Sequence, residues 1–160
     1  LESLTAEQPV PTLDEVLDRY FGKILLNIEL KSRGSGQQVI ALLTSHYIKK
    51  SGDWDNVIIS SFRGSELATI RRKAPHANLA MLTAHNPFAF VAYHRSLNFT
   101  AVGFHRLFVN QLAVQIAQKA GIFTYAYTVN RAAALKKLED HGIDGIVTDY
   151  PDKLRAFLDK

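Results

Sequence analysis

Cysteine is absent from this 160-residue chain, which rules out disulfides and thiolate chemistry and leaves the compartment open. No apolar run approaches the ~18 residues that a membrane span needs. The opening residues Leu1-Glu2-Ser3-Leu4-Thr5 carry neither the basic start nor the apolar core of a secretory signal. A cytoplasmic location is therefore expected, with a periplasmic one as the alternative. An initiator Met is missing too, so the gene product is expected to begin upstream. Low-complexity tracts, linkers and short repeats are lacking, and one domain over residues 1–160 is the simplest organisation. The G-x-G-x-x-G turn of dinucleotide folds is also lacking, because Gly34 and Gly36 follow Lys31 out of that register.

What is present belongs to an ordinary globular protein: 47% hydrophobic and 21% charged residues, at a length that suffices for a core. The formal net charge of +4 suits a Lys/Arg-rich surface and equally a phosphate-bearing ligand. Basic residues are scattered apart from Arg71-Arg72-Lys73 and Lys136-Lys137. No aromatic-interleaved basic stripe occurs, so nucleic acid is not expected as a partner.

Along the chain, Thr12 and Glu15 have the spacing of a capping box, ahead of a short helix ending at Gly22. An apolar β-run follows, Ile24 to Lys31. Helical spacing from Gln37 to about Lys49 leads to a strand over Val57–Phe62, then a helix capped by Ser65 and ending near Lys73. Leu79–Thr83 is a third strand, and Asn86-Pro87 opens a helix. Phe99–Phe104 is a fourth strand, followed by a helix over Phe108–Ala120 that stops at Gly121. Ile122–Val129 is a fifth strand, Asn130 caps a helix over Arg131–His141, and Gly145–Asp149 is a sixth strand before a helix starting at Pro151. About six β-runs thus alternate with helices, a βα array with parallel strands. An open doubly wound sheet and a (β/α)₈ barrel both fit.

The barrel makes the sharper statement, since its sites lie at the C-terminal ends of strands. Those ends carry Glu29, Lys31, Ser61, Phe62, Thr83, His85, His105, Tyr127 to Asn130, Thr148 and Asp149. Glu29 and Lys31 are the pair least explained by packing. Two apart on a strand, their side chains emerge on one face. His46, His76, His94 and His141 fall on helices or turns and are expected to be solvated, and no two histidines have metal-site spacing.

Asn27-Ile28-Glu29-Leu30-Lys31, Ile59-Ser60-Ser61-Phe62, Tyr127-Thr128-Val129-Asn130 and Gly142 through Pro151 (G-I-D-G-I-V-T-D-Y-P), taken in order, resemble the glycerophosphodiester phosphodiesterase family. The lead Val10-Pro11-Thr12-Leu13-Asp14-Glu15 resembles the segment before that family's N-I-E-x-K strand, and the likeness runs from about Pro9 to the C-terminus. Tyr127 departs from the pattern, because many members carry Trp there; a ring is kept. The family's earlier H-R-G, E-x-D and H-D motifs, with its two catalytic histidines and most metal ligands, have no counterpart in this chain.

The resemblance implies an α/β fold, a partial TIM barrel with about six of eight βα units. A full barrel takes ~250 residues, roughly 90 more than here. It also implies metal-dependent hydrolysis of a small-molecule glycerophosphodiester to an alcohol and glycerol 3-phosphate. Glu29 would be a ligand to Mg or Ca, and Lys31 would contact the phosphate, with Phe62 and Tyr127 lining the pocket. His105, Asn130 and Asp149 are further candidates at the mouth, Asp149 also as a cap of the last helix. The general acid and base are expected upstream, so the chain alone is expected to be inactive. Six strands would leave two open edges, so self-association, a segment supplied by another chain or by a missing N-terminal part, or a rearranged sheet is expected. The rival readings are a non-catalytic phosphate-binding module, a structural fragment, or another phosphate-handling barrel.

Overall fold

A computed structural model describes residues 10–158 of the chain. Six parallel strands form one sheet in sequential order, each followed by a helix. The strands are β1 (Leu26–Glu29), β2 (Val57–Ser61), β3 (Asn78–Thr83), β4 (Ala101–His105), β5 (Phe123–Tyr127) and β6 (Gly145–Ile146). Helix α1 (Leu13–Tyr20) comes first; α2 (Ser35–Leu42), α3 (Gly64–Lys73), α4 (Ala89–Leu97), α5 (Gln111–Lys119), α6 (Ala132–Asp140) and α7 (Pro151–Leu158) follow the strands in turn. A strand order that never turns back excludes the doubly wound alternative. The result is a partial barrel of six βα units, as expected. The family-like stretch that begins near Pro9 starts outside the described residues.

Local chemistry explains most boundaries. Thr12 and Glu15 form the full capping box of α1, with Thr12 N donating to Glu15 Oε2 at 2.7 Å and Glu15 N to Thr12 Oγ1 at 3.2 Å. Asn110 caps α5 by accepting from Ala113 N at 3.2 Å. Two expected caps are corrected. Ser65 lies inside the first turn of α3, whose N-cap is Arg63. Asn130 does not cap α6, whose N-cap is Arg131; its side chain is bonded elsewhere. His94 and His141 are also corrected: both are half-buried, the first accepting from Phe99 N at 3.2 Å and the second bonded to Lys137 O at 2.6 Å. No helix among the described residues is long and apolar enough to cross a membrane.

Alternation along the strands creates two faces. Outward side chains Val57, Ile59, Leu79, Met81, Val102 and Phe104 join Leu17, Ile40, Leu67, Ile70 and Val114 from the helices in the main core. Each fully buried large apolar side chain there contributes about 1.5–3 kcal/mol. Inward side chains form a smaller cluster of Ala80, Leu82, Ala101 and Tyr125, flanked by Ile58 and Tyr127. Small residues make room for rings on this face. A Cβ on Gly103 would sit 2.7 Å from the Tyr125 ring and 2.8 Å from Leu82, so only glycine lets that ring lie across β4. The expected apolar run Ile24–Lys31 is shorter as a strand. Ile24 and Leu25 are exposed and β1 begins at Leu26, because among the described residues no neighbour covers that edge.

Candidate active site

Parallel pairing gathers the C-terminal strand ends at one mouth of the sheet. At β1, Leu30 N donates to Ser60 O at 2.7 Å, and the Ser61 hydroxyl donates to Leu30 O at 2.8 Å. These bonds extend the β1–β2 register past Glu29 and fix how Lys31 leaves the strand. Lys31 Nζ lies 3.8 Å from Glu29 Oε2, with the ammonium side chain 79% exposed and the carboxylate side chain 34% exposed. An ion pair so open to water adds little stability, and both groups remain accessible to a ligand.

Glu66 holds the loop after Lys31 from the other side. Its two carboxylate oxygens accept from Gly34 N at 3.0 Å and Gly36 N at 2.9 Å, and the residue is buried. Those bonds, Gly36 first and then Gly34, keep its carboxyl below the usual carboxylate range. The loop turns at Gly34 with φ +80°, a conformation that favours glycine. This clamp was not foreseen from the sequence. Partner and loop lie about thirty residues apart, and no local spacing announces the contact.

Across the mouth, the Tyr127 ring stands edge-on to Phe62, centroids 6.0 Å apart, and edge-on to His105 at 5.9 Å. Its hydroxyl donates to Thr83 O at 2.9 Å. Burial, aided by the negative charge of Glu29, pushes the Tyr127 phenol up to about 12, so it stays protonated at neutral pH. Burial first, then Tyr127 and Glu29, pushes Tyr125 upward as well. The influence of Glu29 on both phenols ties β1 to β5 at this mouth. Phe62 is 44% exposed and presents an open apolar surface beside the charged pair. His105 is half-buried and 5.6 Å from Phe108, which also lies 5.0 Å from exposed His85.

Glu29, Lys31, Phe62, Tyr127 and His105 thus share the mouth, while Asn130 and Asp149 form a separate cross-link between β5 and β6. Asn130 Nδ2 donates to Asp149 Oδ2 at 2.7 Å, and Asn130 Oδ1 accepts from Thr148 Oγ1 at 3.1 Å and Asp149 N at 3.0 Å. The Asp149 carboxylate is taken by this amide and, among the described residues, not by the first turn of α7. For a divalent cation the fit is partial. Mg²⁺ and Ca²⁺ take about six or more oxygen ligands, yet among the described residues no three His, Asp or Glu converge. Glu29 supplies one oxygen donor group and does not form a metal site alone.

The model of the glycerophosphoryl diester phosphodiesterase family matches residues 2–153. A glycerophosphodiester phosphodiesterase of Bacillus subtilis (strain 168) is 32% identical over 152 residues, covering 89% of this chain and 52% of its own length. That of Caldanaerobacter subterraneus subsp. tengcongensis is 30% identical over 152 residues, covering 93% and 62%. The chain spans between 52% and 63% of the length of the curated relatives it matches. Among solved structures, an Oleispira antarctica phosphodiesterase in complex with the product sn-glycerol-3-phosphate superposes with TM-score 0.77 at 26% identity, over 94% of this chain and 62% of that one. The glycerophosphodiester phosphodiesterase of Thermotoga maritima superposes with TM-score 0.69 at 22% identity, over 93% and 63%, a likeness of fold.

Proposed function

The chain belongs to the glycerophosphoryl diester phosphodiesterase family, and on that premise we propose that it carries the phosphate-holding part of a site that hydrolyses small glycerophosphodiesters to an alcohol and glycerol 3-phosphate. The observation that carries this reading is the Glu29–Lys31 pair, 3.8 Å apart at the mouth and open to ligand. The product held by the Oleispira neighbour supports glycerol 3-phosphate as the ligand to try.

Each residue has a task in this reading. The Lys31 ammonium neutralises phosphoryl oxygens and does so most strongly as negative charge builds in the transition state. Tyr127, with its hydroxyl already donated to Thr83, offers a ring rather than a proton. With Phe62 it makes an apolar wall that holds the glycerol carbons beside Lys31. Glu29 is one ligand of a divalent cation, Mg or Ca; when bound, such an ion supplies Lewis-acid stabilisation of the phosphoryl group. Its remaining ligands, and the acid and base, come from water or from outside the described residues. In the same reading the edges of β1 and β6, unpaired among the described residues, are covered by self-association or by a further segment.

Calorimetry on the 160-residue chain tests this. Binding of glycerol 3-phosphate in the presence of Mg²⁺ or Ca²⁺, without turnover of glycerophosphocholine, is the expected result. Turnover would overturn the division of labour. Absence of both binding and turnover would favour a purely structural fragment.

A further inference from the structure

The mouth holds a second polar region that the site above leaves unused. The loops after β4, β5 and β6 enclose a cleft of 810 Å³, lined in part by Arg106, Thr128, Asn130, Arg131 and Tyr150. Ala133 and Ala134 complete the wall on the α6 side and leave the cleft unobstructed. Arg106 and Arg131 are both exposed.

Among the described residues the two guanidiniums have no structural employment. Arg71 shows what such employment looks like here: it donates to the carbonyls of Leu97, Pro75 and Asn98 and ties α3 to the end of α4. Among the described residues, neither Arg106 nor Arg131 donates a side-chain hydrogen bond, and the one ion pair is Lys31 with Glu29. No carboxylate among the described residues lines the cleft, and Asp149, next in sequence to its Tyr150, is engaged by Asn130. Lys153 adds a further positive charge at the border, its Nζ 4.6 Å over the Tyr150 ring. The cleft is therefore cationic and open.

Its position matters as much as its charge. Arg106 N donates to Tyr127 O at 2.8 Å, so the loop bearing Arg106 is fastened to the residue whose ring walls the candidate phosphate site. That bond puts the loop beside Tyr127, and occupancy of both places requires a ligand with its diester phosphate at Lys31 to extend past Tyr127 into this cleft with its other half. Planar guanidiniums suit the oxygens of a phosphate monoester.

We propose that the Arg106–Arg131 cleft binds a phosphate group on the alcohol half of the diester, which makes diesters of anionic alcohols the preferred substrates. The proposal rests on the reading of Lys31 and Tyr127 given above for the placement of the first phosphate. It assigns Arg106 and Arg131 to specificity and not to the chemical step.

Titration of the 160-residue chain followed by amide NMR tests it, with glycerophosphoglycerol, its terminal phosphate monoester and inorganic phosphate as the three probes. The monoester is expected to bind about tenfold more tightly than glycerophosphoglycerol itself, a difference of roughly 1.4 kcal/mol, and to move the amides of Arg106, Leu107 and Arg131. In Arg106→Gln/Arg131→Gln that preference should vanish while binding of glycerophosphoglycerol persists. Equal affinities in the parent chain, or a preference that survives the double substitution, overturn the proposal. Equal shifts from inorganic phosphate would overturn the assignment to a substrate's alcohol half. Should glycerophosphoglycerol fail to bind while the monoester still moves Arg106 and Arg131, the cleft stands and the reading of Lys31 falls. The shifts in the parent chain decide the matter even if the double variant does not fold.

Discussion

On the convex face of the sheet, Val57, Ile59, Leu79, Val102 and Phe104 are completely shielded by helices, whereas on the concave face Leu25, Phe123 and Val147 remain 64%, 50% and 44% exposed. The difference follows from how each face is completed. The helix layer is assembled locally, each helix packing back on strands near it in sequence, so six βα units suffice to build that core. A barrel interior is completed only when the sheet closes on itself. The candidate site belongs to the second face, with Glu29 on an edge strand whose inward positions are exposed. Stability and function are therefore carried by opposite sides of the same six strands.

The largest expected effect contrasts two phenylalanines. Phe104→Ala removes a fully buried ring that stands edge-on to Phe90 at 6.1 Å and should cost about 3–5 kcal/mol. Phe123→Ala, on the half-exposed concave side, should cost less than about 1 kcal/mol. Urea unfolding of both variants checks this, and similar losses would erase the distinction between the faces.

Glu66 comes next, because it joins the two faces by anchoring the loop behind the site to α3. Glu66→Ala leaves the Gly34 and Gly36 amides without partners and should cost about 2–3 kcal/mol, with faster hydrogen exchange at those two amides. The pH dependence has a definite sign. The folded-state carboxyl is held below its ordinary range, so its stabilisation is complete above the ordinary glutamate range and fades as pH falls through the lowered folded value. In Glu66→Gln that share of the acid sensitivity should disappear, as denaturation at a series of pH values would reveal.

A smaller effect is expected on the concave face itself. Gly103→Ala forces the Tyr125 ring off β4, since the new methyl would lie 2.7 Å from it, at a cost of about 1–2 kcal/mol. Thermal unfolding measures the loss; an unchanged Tm would mean the concave packing is already loose. Smallest of all, Lys31→Ala should alter stability by less than about 0.5 kcal/mol, because its ion pair is open to water. A marked destabilisation would make the pair a structural feature instead of a ligand site.

Much of this was legible in the sequence where the signal is local. The period-2 and helical spacings locate the six strands of the described residues and the helices between them, and the two-residue spacing of Glu29 and Lys31 agrees with their charged groups lying 3.8 Å apart, although Lys31 lies past the end of β1. Signals failed where a distant partner competes. Asn130 looks like a helix cap because of its position before Arg131, yet its amide is drawn to Asp149, Thr148 and the end of β6. Ile24 and Leu25 look like buried strand residues by composition, yet an edge without a neighbour among the described residues leaves them in water. Glu66 and the Arg106–Arg131 cleft depend on which loops the sheet brings together, and no short window of sequence contains that information.

The most direct test follows the backbone amides of the isotope-labelled chain as glycerol 3-phosphate is added with Mg²⁺ or Ca²⁺. Saturable shifts at Glu29, Lys31, Phe62 and Tyr127, lost in Lys31→Ala, are the result expected for a phosphate site at this mouth. Shifts confined to other regions, or undiminished in Lys31→Ala, would contradict it.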